Sequence, residues 1–275
     1  MKSVRVLLLA SHPGPTLAVT TVATLLAVSV GLTPWQVAVL GLGFGFNQLS
    51  VGLSNDWIDA ARDSAVGRTD KPIAMGLVSA KTVRTAAFVC AALAIALTVP
   101  LGILATVAHT IFIASAWLYN LGLKNSSLSV LPYILSFGLL PLIVTLARPV
   151  PALAAGWALG LGALLGVAAH FANVLPDLAD DARTGICGLP HRLGRGGSGI
   201  VICAALALAA LLAFFGPSTP ATVLQWIGLV LTLACTIAIA LVLRTPPRRL
   251  LFRLIIAAAL VNVVLLIASG SQLAL

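Results

Sequence analysis

Nine stretches of about twenty mostly apolar residues follow one another along this chain, at roughly 16–33, 36–55, 82–100, 103–120, 128–147, 152–174, 199–216, 221–243 and 250–269. A helix needs about 20 such residues to cross the hydrocarbon layer of a bilayer. That layer admits only structures whose backbone hydrogen bonds close on themselves. The pattern therefore predicts an all-α polytopic membrane protein with about nine transmembrane helices. Composition agrees, since 60% of the 275 residues are hydrophobic and 8% are charged, more apolar surface than a soluble fold of this size hides. Pro and Gly fall mostly between the runs, as at Pro100, Pro149, Pro151, Gly216, Pro217 and Pro220.

The sixteen Lys and Arg residues set the orientation. With nine spans, the N-terminus and the 2–3, 4–5, 6–7 and 8–9 connections share one side. They hold fifteen of the sixteen cations, leaving only Arg148 opposite. Positive residues collect on the cytoplasmic side, so a multi-pass protein of the cell membrane with a cytoplasmic N-terminus is expected. The net charge of +9 is then a topology signal, and nucleic-acid binding is disfavoured as its explanation. Cys90, Cys187, Cys203 and Cys235 show neither paired nor metal-site spacing. The N-terminal apolar run, Val6 to Ala10, is too short for a signal peptide. It is expected to be retained, with His12-Pro13-Gly14-Pro15 as a turn into the first span.

The acids are the informative part. There is no glutamate, and the seven aspartates form two groups: Asp56, Asp59, Asp63 and Asp70, then Asp177, Asp180 and Asp181. Carboxylates in or beside a bilayer are costly, so two isolated clusters read as sites. They also share one pattern. Asn55-x-x-x-Asp59-x-x-x-Asp63 recurs as Asn173-x-x-x-Asp177-x-x-x-Asp181, each at the cytoplasmic end of an even-numbered span. The offset of 118 residues amounts to four helices, so both copies have the same orientation. One domain, 1–275, is expected, with a parallel internal repeat of about 16–125 and 128–243, a last helix at 250–269, and a central cavity.

If the helix continues through each motif, steps of four place Asn55, Asp59 and Asp63 on one face, with Asp56 on the same side. Hard oxygen ligands at this density suit Mg²⁺, which binds through a few carboxylates plus substrate phosphates. Two facing stripes then hold metal with a diphosphate between them. Salt-bridged helix ends explain one such cluster, but explain two with matched spacing less well.

Cations follow each motif: Arg68, Lys71 and Lys81 after the first, and Arg183, Arg192 and Arg195, with His191, after the second. Arg binds phosphate bidentately and Lys as a point charge. Arg68 and Lys71 fit phosphate contact and topology equally, whereas Arg195 fits topology better. Tyr119 and Lys124 stand five apart, and both point inward only if the helix end unwinds or Lys124 reaches back. Asn47, two turns below Asn55, and His170 are the polar candidates deeper in the cavity. Asn120 and His12 fit an interhelical hydrogen bond and a turn.

With these residues in hand, the sequence resembles the UbiA superfamily of intramembrane prenyltransferases over nearly its whole length. The resemblance rests on N-D-x-x-D-x-x-x-D at Asn55, Asp56, Asp59 and Asp63 and on GRTDKPIAMG after it. It also includes the motif at Asp177 and Asp181, the Tyr119/Lys124 pair and nine spans. It implies that Asn55, Asp59, Asp63, Asp177 and Asp181, with Asp56 and Asn173 beside them, hold Mg²⁺. Arg68, Lys71 and Lys124 would bind an isoprenyl diphosphate, with Tyr119 nearby; Asn47, His170, Arg183 and Arg192 complete the substrate-binding candidates. The second motif departs from the fuller family form, since Asn173 stands before it and Gly185 after it, which leaves the number of ions open.

The implied chemistry is ionisation of an allylic diphosphate, with Asp59, Asp63, Asp177 and Asp181 as its catalytic carboxylates. The carbocation is then captured by an apolar or aromatic acceptor in a prenyltransferase, or by an internal double bond in a terpene cyclase. The acceptor is not legible, for spans one, five and seven contain no Lys or Arg, and span three has only Arg84 near its cytoplasmic end. Membrane lipid surrounds the bundle. Two other classes fit less well. CDP-alcohol phosphotransferases share an Ala-Arg pair (Ala61-Arg62) but leave the second cluster unexplained. Transporters place their acids nearer mid-membrane.

Overall fold

The computed structural model describes residues 2–69, 71–176, 178, 185–243 and 248–275, with no side-chain detail for 2–5, 248 and 249. Ten α-helices carry the described chain: α1 (Lys2–Ala10), α2 (Pro13–Ser29), α3 (Pro34–Ala65), α4 (Ala80–Thr98), α5 (Ile103–Leu121), α6 (Leu131–Leu146), α7 (Gly156–Val174), α8 (Leu189–Phe215), α9 (Val223–Val242) and α10 (Arg248–Ala268). Seven of them are long and apolar enough to cross a membrane, while Pro13–Ser29 and Leu131–Leu146 are shorter apolar helices. This is the expected multi-pass helical architecture.

Their starts are written in local chemistry. Thr33 and Gln36 form a capping box at the head of α3, and Thr222 and Gln225 form another at the head of α9. Each glutamine also ties its helix to a neighbour, Gln36 Nε2 to the Ala147 carbonyl at 3.0 Å and Gln225 Nε2 to that of Ala213 at 3.0 Å. Proline opens α2, α3 and α8, where its missing N–H costs nothing.

Successive helices pack side by side from α2 to α10, and α10 returns to α2 and α7, so the bundle closes on itself. Phe44, Ile143, Leu161, Phe171, Ile202 and Leu206 fill its interior, and Ile103, Phe215, Ile237 and Leu241 face outward. With lipid as apolar as the core, close backbone approach drives packing. Gly162 and Gly166 of α7 lie against the Phe137 and Tyr133 carbonyls of α6, where any Cβ would collide.

Three expectations need correcting. The turn read at 12–15 is at Ser11–His12, because Pro13 already begins α2. The seventh span starts at Leu189, ten residues before the apolar run, and bends at Gly194 (φ 64°). The helix continues through the first Asp motif, but α7 stops at Val174, ahead of Pro176, before the second.

The length of α3 positions the site. Its 32 residues extend about 48 Å at about 1.5 Å each, against a hydrocarbon core of about 30 Å. About three turns therefore exceed the hydrocarbon thickness, and Asn55 to Asp63 lie in the last three turns of the helix.

Candidate functional site

Asp56, Asp59 and Asp63 lie along the last turns of α3 with exposures of 1%, 7% and 2%. Carboxylates that deep persist only with partners, and three cations from three parts of the chain supply them. Arg62, on α3 itself, lies 3.0 Å from Asp59 Oδ2 and 3.4 Å from Asp63 Oδ1. Lys124 Nζ donates to Asp59 Oδ1. Lys71 Nζ sits 3.6 Å from Asp56 Oδ1 and donates to Asn55 Oδ1 at 3.3 Å. Asn55 Nδ2 in turn donates to Asp59 Oδ2 at 3.1 Å, so the predicted face is one continuous network.

Each cation arrives by a local device. α5 ends at Leu121, Gly122 adopts φ 154°, and a short 3₁₀ turn over Leu123–Asn125 swings Lys124 inward. The unwinding that the Tyr119/Lys124 spacing required is thus present. Gly188 packs on the Lys124 carbonyl and on Ser129, closing the turn from the α8 side. Lys71 begins a tight turn in which Met75 and Leu77 N–H groups bond to the carbonyls of Lys71 and Pro72 at 3.0 Å each. Its Nζ also bonds to His12 Nε2 at 2.9 Å. Burial pushes the Lys124 ammonium below its ordinary pKa, while Asp59 beside it acts in the opposite direction.

Asn120 braces this rim from α5. Its Nδ2 donates to Ser54 Oγ at 2.8 Å and the Val51 carbonyl at 3.0 Å, and its Oδ1 accepts from Asn55 at 3.4 Å. Trp117 Nε1 bonds to Ser50 Oγ at 3.0 Å on the same helix pair.

The other candidates are distributed. Asn47 is fully buried, with Nδ2 2.8 Å from His109 Nε2, and His109 stacks on Phe44 and bonds to Thr98 at 2.7 Å. This joins α3, α4 and α5 and lies apart from the Asp network. His170 forms an aromatic group with Tyr119 and Tyr133, with ring centroids 5.8 and 4.9 Å away, and bonds to Ser129 Oγ at 3.0 Å. Arg68 stands exposed just past α3, its N–H bonded to the Asp63 carbonyl at 3.0 Å. Arg192 is exposed at the start of α8, with Nε 3.4 Å from the Cys187 carbonyl. Asn173 is exposed on the last turn of α7. Asp177, Asp181 and Arg183 lie outside the described residues, as does Asp180.

Among the described residues, no three Asp, Glu, His or Cys side chains converge as a closed metal site. By itself the first stripe is not a closed metal site. Its donors are hard oxygens, and among the described residues buried Asp63 Oδ2 has no hydrogen-bond partner, which fits a hard cation shared with ligands from elsewhere. Sequence reasoning had Arg62 as a salt-bridge partner of these Asps, the role it has here, and missed that of His12. Arg62 carried a signal, since it lies three residues after Asp59 on the same helix face.

Comparison with known proteins agrees with this geometry. The sequence model of the UbiA prenyltransferase family matches residues 16–263. No curated protein matches the sequence. Among solved structures, one concerning digeranylgeranylglyceryl phosphate synthase superposes with a TM-score of 0.71 at 14% identity, covering 99% of this chain and 100% of that one. A UbiA homologue from Archaeoglobus fulgidus bound to GPP and Mg²⁺ gives 0.70 at 14% identity, covering 96% and 99%. The apo UbiA homologue from Aeropyrum pernix K1 gives 0.70 at 17%, covering 94% and 96%. The helical bundle, the rim of carboxylates and the match over residues 16–263 lead to one conclusion: this multi-pass membrane chain belongs to the UbiA prenyltransferase family.

Proposed function

We propose that the protein is a Mg²⁺-dependent intramembrane prenyltransferase that ionises an isoprenyl diphosphate and passes the prenyl group to an apolar or aromatic acceptor. The observation that carries this is the buried rim of α3, where Asp56, Asp59 and Asp63 form one network with Arg62, Lys71 and Lys124. On this reading Asn55, Asp56, Asp59 and Asp63 hold metal from one side, and Asn173, Asp177 and Asp181 from the other, across a parallel repeat. Bound Mg²⁺ supplies positive charge to the diphosphate. The related Archaeoglobus structures bound to GPP or DMAPP with Mg²⁺ support the choice of both.

The chain's own residues supply the rest. Lys71, Lys124 and Arg68 stabilise the negative charge that grows on the departing diphosphate, an electrostatic contribution already organised before substrate arrives. The half-buried Tyr119 and Tyr133 with buried His170 offer ring faces to which a prenyl cation is attracted by π density. The 15-to-1 split of cations supports a cytoplasmic rim.

The test is incubation of the purified protein with Mg²⁺ and geranyl, farnesyl or geranylgeranyl diphosphate, first without acceptor and then with a membrane-lipid or aromatic extract. Turnover that needs the extract and stops with EDTA is expected. A cyclic hydrocarbon formed without acceptor would make the protein a terpene cyclase, and turnover in EDTA would refute the metal-dependent reading.

A further inference from the structure

The turn between α1 and α2 carries backbone strain. His12 has φ 55° and ψ 72°, and among the described residues it alone has positive φ without being glycine. A residue with a Cβ enters that region uncommonly, although His, Asn and Asp do so more readily than most. Pro13 crowds it further. Such strain persists where the surroundings over-determine it.

The surroundings do so here. The Ser11 carbonyl lies against Gly52 of α3, at a distance no Cβ permits. The same carbonyl accepts from Thr16 Oγ1 at 3.0 Å, and Ser11 Oγ donates to the Leu8 carbonyl at 2.8 Å. The docked turn sets His12 Nε2 2.9 Å from Lys71 Nζ. An ammonium has three donors and no acceptor, so the imidazole accepts through Nε2 and its Nδ1 carries the proton. The other Lys71 partners are Asn55 Oδ1 at 3.3 Å and Asp56 Oδ1 at 3.6 Å, both within the Asp motif. His12 is the third leg of this tripod, and it comes from outside the motif.

We propose that His12 is a positioning residue for the prenyl-diphosphate site, anchoring the Lys71 ammonium at the rim so that the segment before the first span is a working part of that site. The inference rests on the diphosphate reading of Lys71 given above. It accounts for the strained turn, the close approach at Gly52 and the burial of Lys71 together, because each is needed to bring His12 to the lysine. As Asn55 and Asp56 turn toward metal, His12 is the partner that Lys71 retains while its remaining donors face phosphate.

Three variants separate side chain from backbone. His12→Asn tolerates the left-handed backbone but is too short to reach Lys71, His12→Gly removes the strain together with the side chain, and His12→Gln restores an acceptor at similar reach. Binding of a non-ionising thiolo analogue of geranyl diphosphate with Mg²⁺ is measured by calorimetry in detergent, beside Tm. Losing one charge-assisted hydrogen bond should weaken analogue binding about tenfold in His12→Asn and His12→Gly, with Tm at the wild-type value or above. His12→Gln should recover most of the affinity, and His12→Asn should have no further effect in a Lys71→Met background. Wild-type affinity in His12→Asn and His12→Gly, or an undiminished His12→Asn effect without Lys71, overturns the proposal. A wild-type protein that binds no prenyl-diphosphate analogue overturns the diphosphate reading itself, and His12's role with it.

Discussion

Replacing Lys124 with Met tests the network at a buried ion pair. Lys124 and Asp59 are 8% and 7% exposed, and truncating one partner of a buried ion pair typically costs about 3–5 kcal/mol, because the other charge is stranded. Two donors stay with Asp59 here, Arg62 at 3.0 Å and Asn55 at 3.1 Å, both on Oδ2. Arg62 is partly solvated, so its compensation is incomplete. The expected cost therefore falls below the usual range, at about 2–3 kcal/mol. At about 2–4 °C per kcal/mol for a chain of about this size, the apparent Tm in detergent should drop by about 4–12 °C, read by tryptophan fluorescence. The double variant Asp59→Asn/Lys124→Met removes both charges and should regain much of the loss, giving a positive coupling in the cycle. Lys124→Met should also lose prenyl-diphosphate affinity, whereas Asp59→Asn/Lys124→Met should not regain it. An unchanged Tm in Lys124→Met, or strictly additive effects in the double variant, would refute the argument.

Asp59→Ala and Asp177→Ala should each abolish diphosphate release while leaving a folded, monodisperse protein in detergent, and retained turnover in either would remove the two-cluster site. Gly166→Ala places a Cβ against the Tyr133 carbonyl and should destabilise the α6–α7 contact by about 1–3 kcal/mol as overpacking; an unchanged Tm would show that the two helices separate without cost.

The helices and the first Asp stripe were legible because both depend on short-range periodicity. An apolar run reports a span, and steps of four report one face of α3. What escaped depends on partners far apart in sequence or on segments outside the bilayer. Asn47 looked free to meet substrate, yet its side chain bonds to His109, 62 residues away. His12 and Lys71 are 59 apart, and a proline-rich turn gives no hint that its histidine is aimed. The early start of α8 was missed because hydropathy is silent about helix in water. There Leu189-Pro190 opens the helix, although the following glycines read as loop. The second motif looked like a copy of the first, but α7 ends at Val174 and carries only its Asn173, while Asp177 and Asp181 lie outside the described residues.

The charges at the rim explain why it tolerates its burial and what ligand would suit it. Three carboxylates meet three cations, so the described network is electroneutral. A dication entering alone would leave uncompensated positive charge in a region where charges are weakly screened. An anion entering alone would face Asp56, Asp59 and Asp63. On the proposed reading, metal and diphosphate together would satisfy both sets: the carboxylates would hold metal, and Lys71 and Lys124 would face phosphate oxygens. The lysines would then act twice, holding the rim together and stabilising the departing diphosphate. That dual role makes stability and affinity fall together in Lys124→Met. It also separates them at His12, which reaches the rim through Lys71.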